Sequence, residues 1–99
     1  MGLPEDLPAH ARLTERAQRD LEDLLKKDPK NFHRVWEDLK RLAKGALPQR
    51  PKKLKGFAPP IWQLDSGDFR IFFTPAEEAL WIRGVLSKPK QKKRLRTMR

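Results

Sequence analysis

The sequence predicts a small α+β domain in which an antiparallel sheet packs against a two-helix hairpin, in the order β-α-α-β-β-β with an optional first strand. Apolar residues recur at spacings of three and four between Ala17 and Ala43, which is typical of amphipathic helices. Apolar and polar residues alternate around Arg70, which is typical of a half-buried strand. A chain of 99 residues provides one modest core, so a single domain over residues 1–99 is predicted.

The residues before the helices are expected to add little to the core. Prolines at positions 4 and 8 favour a loose N-terminal arm over residues 1–8. The segment from Ala9 to Leu13 permits an edge strand without requiring one, and it is the optional first strand of the predicted order.

Two helices are predicted from their caps and their apolar stripes. Thr14 is a suitable N-cap for a helix from about Glu15 to Lys27. Asp28-Pro29 then provides a cap followed by proline at the first helical position, and Gly45 provides a stop. The apolar stripe of the first helix consists of Ala17, Leu21, Leu24 and Leu25. The second stripe has the strongest periodicity in the chain and consists of Phe32, Val35, Trp36, Leu39, Leu42 and Ala43.

A β-hairpin is predicted around a tight turn that carries Ser66-Gly67, because a short glycine turn between alternating apolar runs is a strong hairpin signal. The core face is predicted to carry Trp62, Leu64, Phe69, Ile71 and Phe73. The opposite face is predicted to carry Ile61, Gln63, Arg70, Phe72 and Thr74. An arginine within an apolar strand is seldom buried without a partner, so this opposite face is predicted to be open. The alternative is a solvated Arg70 with no specific role.

A third strand is predicted from Leu80 to Leu86, and two registers are open because Trp81 is also a good core residue. The preferred register turns three residues toward the helices, namely Leu80, Ile82 and Leu86. It turns three others away from them, namely Trp81, Arg83 and Val85. This register is preferred because it places Arg83 on the same face as Arg70.

The positive charge belongs to the second half of the chain. The net charge is +10, but residues 1–47 hold ten Lys/Arg against nine Asp/Glu, whereas residues 48–99 hold thirteen against four. The tail from Lys88 to Arg99 contains seven basic residues and no acid. Such a segment is attracted to a polyanion, and nucleic acid is the expected partner. The alternative is a basic tail over residues 89–99 that only adds solubility.

Composition excludes several kinds of site. The chain has no cysteine, which removes disulfides, thiolate nucleophiles and cysteine–metal sites. The sequence contains only two histidines, His10 and His33, and His33 falls near the polar face of a helix, as an ordinary exposed histidine does. We expect no metal and no cofactor. The sequence has neither an apolar run of about 20 residues nor a secretory signal, so we expect a cytoplasmic protein without a membrane segment.

Three motifs, in their order and spacing, resemble the RelE/ParE superfamily of toxins from bacterial type II toxin–antitoxin systems. They are TERAQRDLEDL in the first helix, KKLKG before the hairpin and IWQLDSGDFRIFF in the hairpin, and the resemblance covers about Leu13 to Lys90. It implies the RelE-like fold and a toxin held inactive by a cognate antitoxin protein. For RelE-like members it also implies messenger RNA cleavage on the ribosome, in which the 2′-hydroxyl attacks the adjacent phosphate. The alternatives are a ParE-like inhibitor of DNA gyrase and a family member that only binds nucleic acid.

The resemblance also implies site residues. Arg70 matches the phosphate-stabilising arginine of the family, and Lys90 falls near its second functional arginine. With Arg83, these residues form the predicted catalytic set. Predicted RNA contacts are Lys52, Lys53, Lys55, Gln63, Trp81, Lys88, Lys92, Lys93 and Arg94. The chain departs from RelE at Ile61 and Gln63, where RelE carries lysines, and it contains no tyrosine, so the general base and acid are not identified.

Overall fold

The computed structural model describes residues 2–46 and 50–88, which form two helices and five strands. The elements are β1 (Ala11–Leu13), α1 (Glu15–Lys27), α2 (Pro29–Lys44), β2 (Lys52–Lys53), β3 (Trp62–Ser66), β4 (Phe69–Pro75) and β5 (Leu80–Ser87). The predicted α+β class, both helices, the hairpin and the optional first strand are confirmed. Strand β2 is an additional short element within the predicted basic loop.

Each helix begins and ends where local chemistry favours it. The hydroxyl of Thr14 accepts a hydrogen bond from the amide of Ala17 at 3.1 Å, and the carboxylate of Asp28 accepts one from the amide of Asn31 at 3.3 Å. Both contacts satisfy amides that the first turn of a helix leaves without an intrahelical partner. Gly45 follows α2 with φ 71°, a left-handed conformation that glycine adopts without steric cost.

The strands form one five-stranded sheet in the order β1-β5-β4-β3-β2. Strand β1 runs parallel to β5, and the other neighbouring pairs are antiparallel. The β3–β4 turn consists of Gly67 and Asp68, one residue later than the predicted Ser66-Gly67. Ser66 instead ends β3, where its buried hydroxyl donates to the carboxylate of Asp38 on α2 at 2.6 Å. Gly67 has φ 60°, which suits a two-residue turn that begins with glycine.

Both helices cover one face of the sheet, and the core lies between them and that face. The helices contribute the buried residues Ala17, Leu21, Leu24, Phe32, Val35, Trp36, Leu39 and Ala43. The strands contribute Leu64, Ile71, Phe73, Leu80, Ile82 and Val85. The side chains that alternate with these strand residues point away from the helices. We call that side of the sheet the open face.

The N-terminal segment is packed, in contrast to the expected loose arm. Leu3 and Leu7 are partly buried against the core. The carboxylate of Asp6 accepts hydrogen bonds from the indole of Trp36 at 2.7 Å and from the ammonium group of Lys40 at 2.8 Å. The indole N–H of Trp36, a core residue, needs a hydrogen-bond acceptor, and Asp6 provides it. The prediction of a loose arm considered the prolines of this segment and not this need. The arm is thereby fixed to α2.

Strand β5 changes the direction of its side chains part-way along its length. Leu80 and Ile82 are buried and Trp81 is exposed, as predicted. The second half of the preferred register is wrong, because Val85 is buried and Leu86 lies opposite Arg70. The two halves of the strand therefore turn opposite sets of residues toward the helices.

A β-bulge at Arg83 causes this change, because Arg83 is an extra residue in the pairing of β5 with β4. Helix α1 and its N-cap residue contact the bulge from the helix side of the sheet. The carboxylate of Asp20 accepts from the amide of Val85 at 3.1 Å, and the hydroxyl of Thr14 donates to the carbonyl of Arg83 at 3.2 Å. A Cβ atom at Gly84 would lie 3.3 Å from the Asp20 carboxylate, so glycine allows α1 to approach this closely.

Candidate functional site

The open face carries an arginine on its central strand. Arg70 of β4 lies between Asp65 of β3 and Leu86 of β5. Its side chain keeps 27% of its surface exposed, so it is not buried beneath the helices. The prediction that places Arg70 on a face away from the core is therefore correct, although this arginine lies beside a carboxylate.

That carboxylate lies between two cations. The Oδ1 atom of Asp65 is 3.1 Å from Nε of Arg70, and its Oδ2 atom is 4.0 Å from Nζ of Lys88. The three side chains come from β3, β4 and the residue directly after β5. They place two positive charges and one negative charge within a small area of the open face.

Lys88 reaches this area because of the bulge. Without the extra residue at Arg83, alternation along β5 would turn positions 80, 82, 84, 86 and 88 to the helix side. The bulge shifts this alternation by one residue, so Leu86 and Lys88 follow the direction of Arg70 instead. An irregularity in the sheet thus completes the cluster.

A second row of side chains crosses the open face beside this cluster. Lys52 pairs with Gln63, and Gln63 pairs with the half-buried Phe72. Lys53 lies opposite Trp62, whose neighbours are core residues, and therefore projects to the other side of the sheet edge from Lys52. Of these two lysines, the structure brings only Lys52 to the row that adjoins Arg70.

The remaining predicted site residues of the described ranges lie outside the cluster of Asp65, Arg70 and Lys88. Lys55 is exposed in the turn after β2, and Arg83 is exposed at the bulge. Trp81 is 37% exposed, and the guanidinium of Arg12 lies 6.0 Å from its ring centroid, a distance at which cation and ring attract each other. Trp81 pairs with Thr74, so it lies toward the opposite end of β5 from Leu86.

Four predicted residues lie outside the described residues, namely Lys90, Lys92, Lys93 and Arg94. Within residues 2–46 and 50–88, no group of acidic and histidine side chains is arranged to hold a metal ion. No helix in these ranges is long and apolar enough to cross a membrane.

The arrangement suits an anion that carries its charge on several oxygen atoms. An arginine offers a planar fork of donors that matches phosphate, and a lysine adds a compact charge. Sequence reasoning missed Asp65. The hairpin register contains the signal that could have found it: a two-residue turn at positions 67 and 68 pairs 66 with 69, and therefore 65 with 70.

No protein-family model and no curated protein sequence matches the chain. Among solved structures, the dimeric YoeB from Staphylococcus aureus superposes with a TM-score of 0.65 over 78% of this chain and 93% of that one, at 17% identity. The chain has the fold of YoeB. The protein HP0894 from Helicobacter pylori superposes with a TM-score of 0.57 over 80% of this chain and 93% of that one, at 19% identity. The YoeB fold agrees with the RelE/ParE resemblance drawn from the motifs, and at these identities the likeness concerns the fold alone.

Proposed function

We propose that this protein is the toxin of a bacterial type II toxin–antitoxin system and that it cleaves messenger RNA on the ribosome. The observation that carries the proposal is the position of Arg70 on the open face, with Lys88 nearby and Lys52 in the adjoining row. The YoeB fold and the motif resemblance support the toxin class. The cations favour a phosphodiester as the substrate group.

The proposed reaction begins with attack of an RNA 2′-hydroxyl on the adjacent phosphorus. The new bond joins the 2′-oxygen to phosphorus, and the bond from phosphorus to the 5′-oxygen of the next nucleotide breaks. A base takes the 2′ proton, and an acid returns a proton to the leaving oxygen. Arg70 stabilises the charge that builds on the phosphoryl oxygens, because its planar fork of donors matches the geometry of a phosphate.

The other site residues keep their proposed roles around this centre. Lys90 and Arg83 complete the proposed catalytic set, with Lys90 as the candidate for proton transfer. Neighbouring phosphates are held by Lys52, Lys55, Lys88, Lys92, Lys93 and Arg94, whereas Lys53, which projects to the other side of the sheet edge, is left out of this set. A base is held by Gln63 or stacked on Trp81. The proposed partners are the ribosome, its messenger RNA and a cognate antitoxin in the cytoplasm, and no cofactor takes part.

A second function is favoured by one specific observation. Ile61 and Gln63 occupy positions where RelE carries lysines, and the chain has no tyrosine, so the usual means of proton transfer are missing. A ParE-like toxin that inhibits DNA gyrase without cutting RNA does not need them. The positive charge near Arg70 favours the nuclease, because an inhibitor that cuts no phosphodiester has no comparable need for cations that bind phosphate.

Induced expression in bacteria distinguishes these functions. For the nuclease, the wild-type protein arrests translation and produces new transcript ends, whereas Arg70→Ala lowers cleavage about 100-fold or more, the usual effect of removing a group that stabilises transition-state charge. Arg19→Ala is the matched control, since Arg19 is exposed on α1 and its ion pair among the described residues is a local one with Glu15. Toxicity of Arg70→Ala equal to that of the wild type would contradict the role of Arg70. Intact transcripts with a DNA-damage response would identify the gyrase inhibitor.

A further inference from the structure

Asp65 is an unexpected residue in a site for an anion. Its carboxylate lies 3.1 Å from Arg70 Nε and 4.0 Å from Lys88 Nζ, where it opposes the approach of a phosphate. Replacing it with a neutral residue would make the open face more attractive to RNA. An acid at this position therefore lowers the affinity for RNA. Its presence in the site suggests that it makes another contribution there.

The ion pair between Asp65 and Arg70 contributes too little to the stability of the fold to explain its presence. The side chains of Asp65 and Arg70 are 47% and 27% exposed, and ion pairs with this much contact with water contribute little to folding. The backbone pairing of these residues is set by the two-residue turn and continues along β3 and β4 without their charges. The contact can thus be altered while the sheet remains intact.

The geometry of the contact indicates what it does. Asp65 accepts from Nε, the guanidinium nitrogen closest to the main chain, and this hydrogen bond fixes the plane of the group. A long arginine side chain otherwise samples many rotamers, and a guanidinium held in advance loses less freedom when a phosphate arrives. Lys88 lies 4.0 Å from the other carboxylate oxygen, close enough to attract the carboxylate but too far to form a hydrogen bond with it.

We infer that Asp65 is a positioning residue, which orients Arg70 for the scissile phosphate and weakens RNA binding in exchange for faster cleavage. This inference rests on the proposed nuclease function. It predicts opposite effects on binding and on turnover from a single substitution. A residue with a purely structural role would lower both.

The test compares Asp65→Ala with Asp65→Asn. Alanine removes the charge and the acceptor, whereas asparagine removes the charge and keeps an oxygen that accepts from Arg70 Nε. Binding is measured by fluorescence anisotropy with a labelled single-stranded RNA whose 2′-hydroxyls are methylated, and cleavage is measured under single-turnover conditions with ribosomes programmed with unmodified RNA. Asp68→Ala is the matched control, since Asp68 is exposed in the same turn and forms no ion pair with residues of the described ranges.

We expect both Asp65 variants to bind the methylated RNA about two- to fivefold more tightly. Asp65→Ala should cleave bound RNA about tenfold more slowly, and Asp65→Asn should recover most of the wild-type rate. The Asp68 control should keep the wild-type rate. Cleavage by Asp65→Ala at the wild-type rate would overturn the inference, as would an Asp65→Asn rate as low as that of Asp65→Ala.

A separate readout distinguishes failure of this inference from failure of the proposed function. The Nε–H group of Arg70 gives its own proton–nitrogen resonance in NMR spectra. If Asp65 orients Arg70, exchange of this proton with water should be slow in the wild type and in Asp65→Asn, and at least several-fold faster in Asp65→Ala. A wild-type protein that cuts no RNA but shows this pattern would remove the nuclease proposal and keep the orientation. Equal exchange in all three proteins would remove the orientation.

Discussion

Asp6 is an exposed acid that joins the N-terminal segment to α2. The ammonium group of Lys40 donates to it at 2.8 Å and the indole of Trp36 at 2.7 Å. The hydrogen bond from Lys40, followed by that from Trp36, lowers the pKa of Asp6 below its ordinary value, and the bond to Asp6 raises the pKa of Lys40. Both shifts mean that the charged forms are favoured in the folded protein.

The lowered pKa of Asp6 predicts a pH dependence of stability. Its contribution is complete above the ordinary carboxyl pKa, near 3.9, and is lost as the pH falls through the lower pKa of the folded state. Asp6→Asn should therefore unfold at lower urea concentration than the wild type at pH 6, and the difference should shrink below about pH 4. Urea midpoints measured across this range test the prediction. Glu5→Gln is the control, and a difference that is constant with pH would contradict the assigned ion pair.

At the scale of single residues, the sequence predicts the centre of the site better than its surroundings. Alternation alone places Arg70 away from the core, and the structure agrees. It does not predict Asp65, because the contact with Arg70 depends on the exact position of the turn, which was predicted one residue early. It does not predict the nearness of Lys88 either, because that depends on the bulge.

At the scale of elements, the parts with strong local signals are predicted well. Helix α1 follows from its cap and its stripe, and the bounds predicted from Glu15 to Lys27 match the structure. Strand β5 is predicted only in its first half. The bulge is contacted by Asp20 of α1 and by Thr14, the N-cap residue before α1, and because the contact from Thr14 to Arg83 spans 69 residues, a local pattern cannot predict that contact. The isolated Gly84 within the strand was its one local sign.

Asp20 should therefore control both the stability of β5 and the position of Lys88. Asp20→Ala leaves the amide of the buried Val85 without its acceptor, which should lower the free energy of unfolding by about 1–3 kcal/mol. Asp20→Asn keeps an acceptor and should lose less. Chemical denaturation measures both. Asp23→Ala on the same helix removes an exposed ion pair with Lys27 and serves as the control, and an equal loss in all three variants would contradict the role of Asp20.

At the scale of the whole molecule, most of the net positive charge belongs to residues 48–99 of the sequence. The tail over residues 89–99 lies outside the described residues and carries six Lys/Arg. If these residues contact RNA phosphates, replacing all six with glutamine should weaken binding and reduce the slope of log affinity against log salt by as much as about 4. Affinity for RNA at several salt concentrations measures the slope, with the same number of Lys/Arg replaced on α1 and α2 as the control. An unchanged slope would contradict RNA contact by the tail.

The parallel pairing of β1 with β5 joins the first and the last strand of the described residues. Ala11 faces Leu80 across this pair, and the hydroxyl of Thr14 holds a carbonyl 69 residues away. During synthesis, the first strand is made before any neighbour exists for it, and the final strand brings both that neighbour and the lysine at position 88. A polypeptide released early by the ribosome would lack both, so the cluster around Arg70 can form only after translation has passed β5.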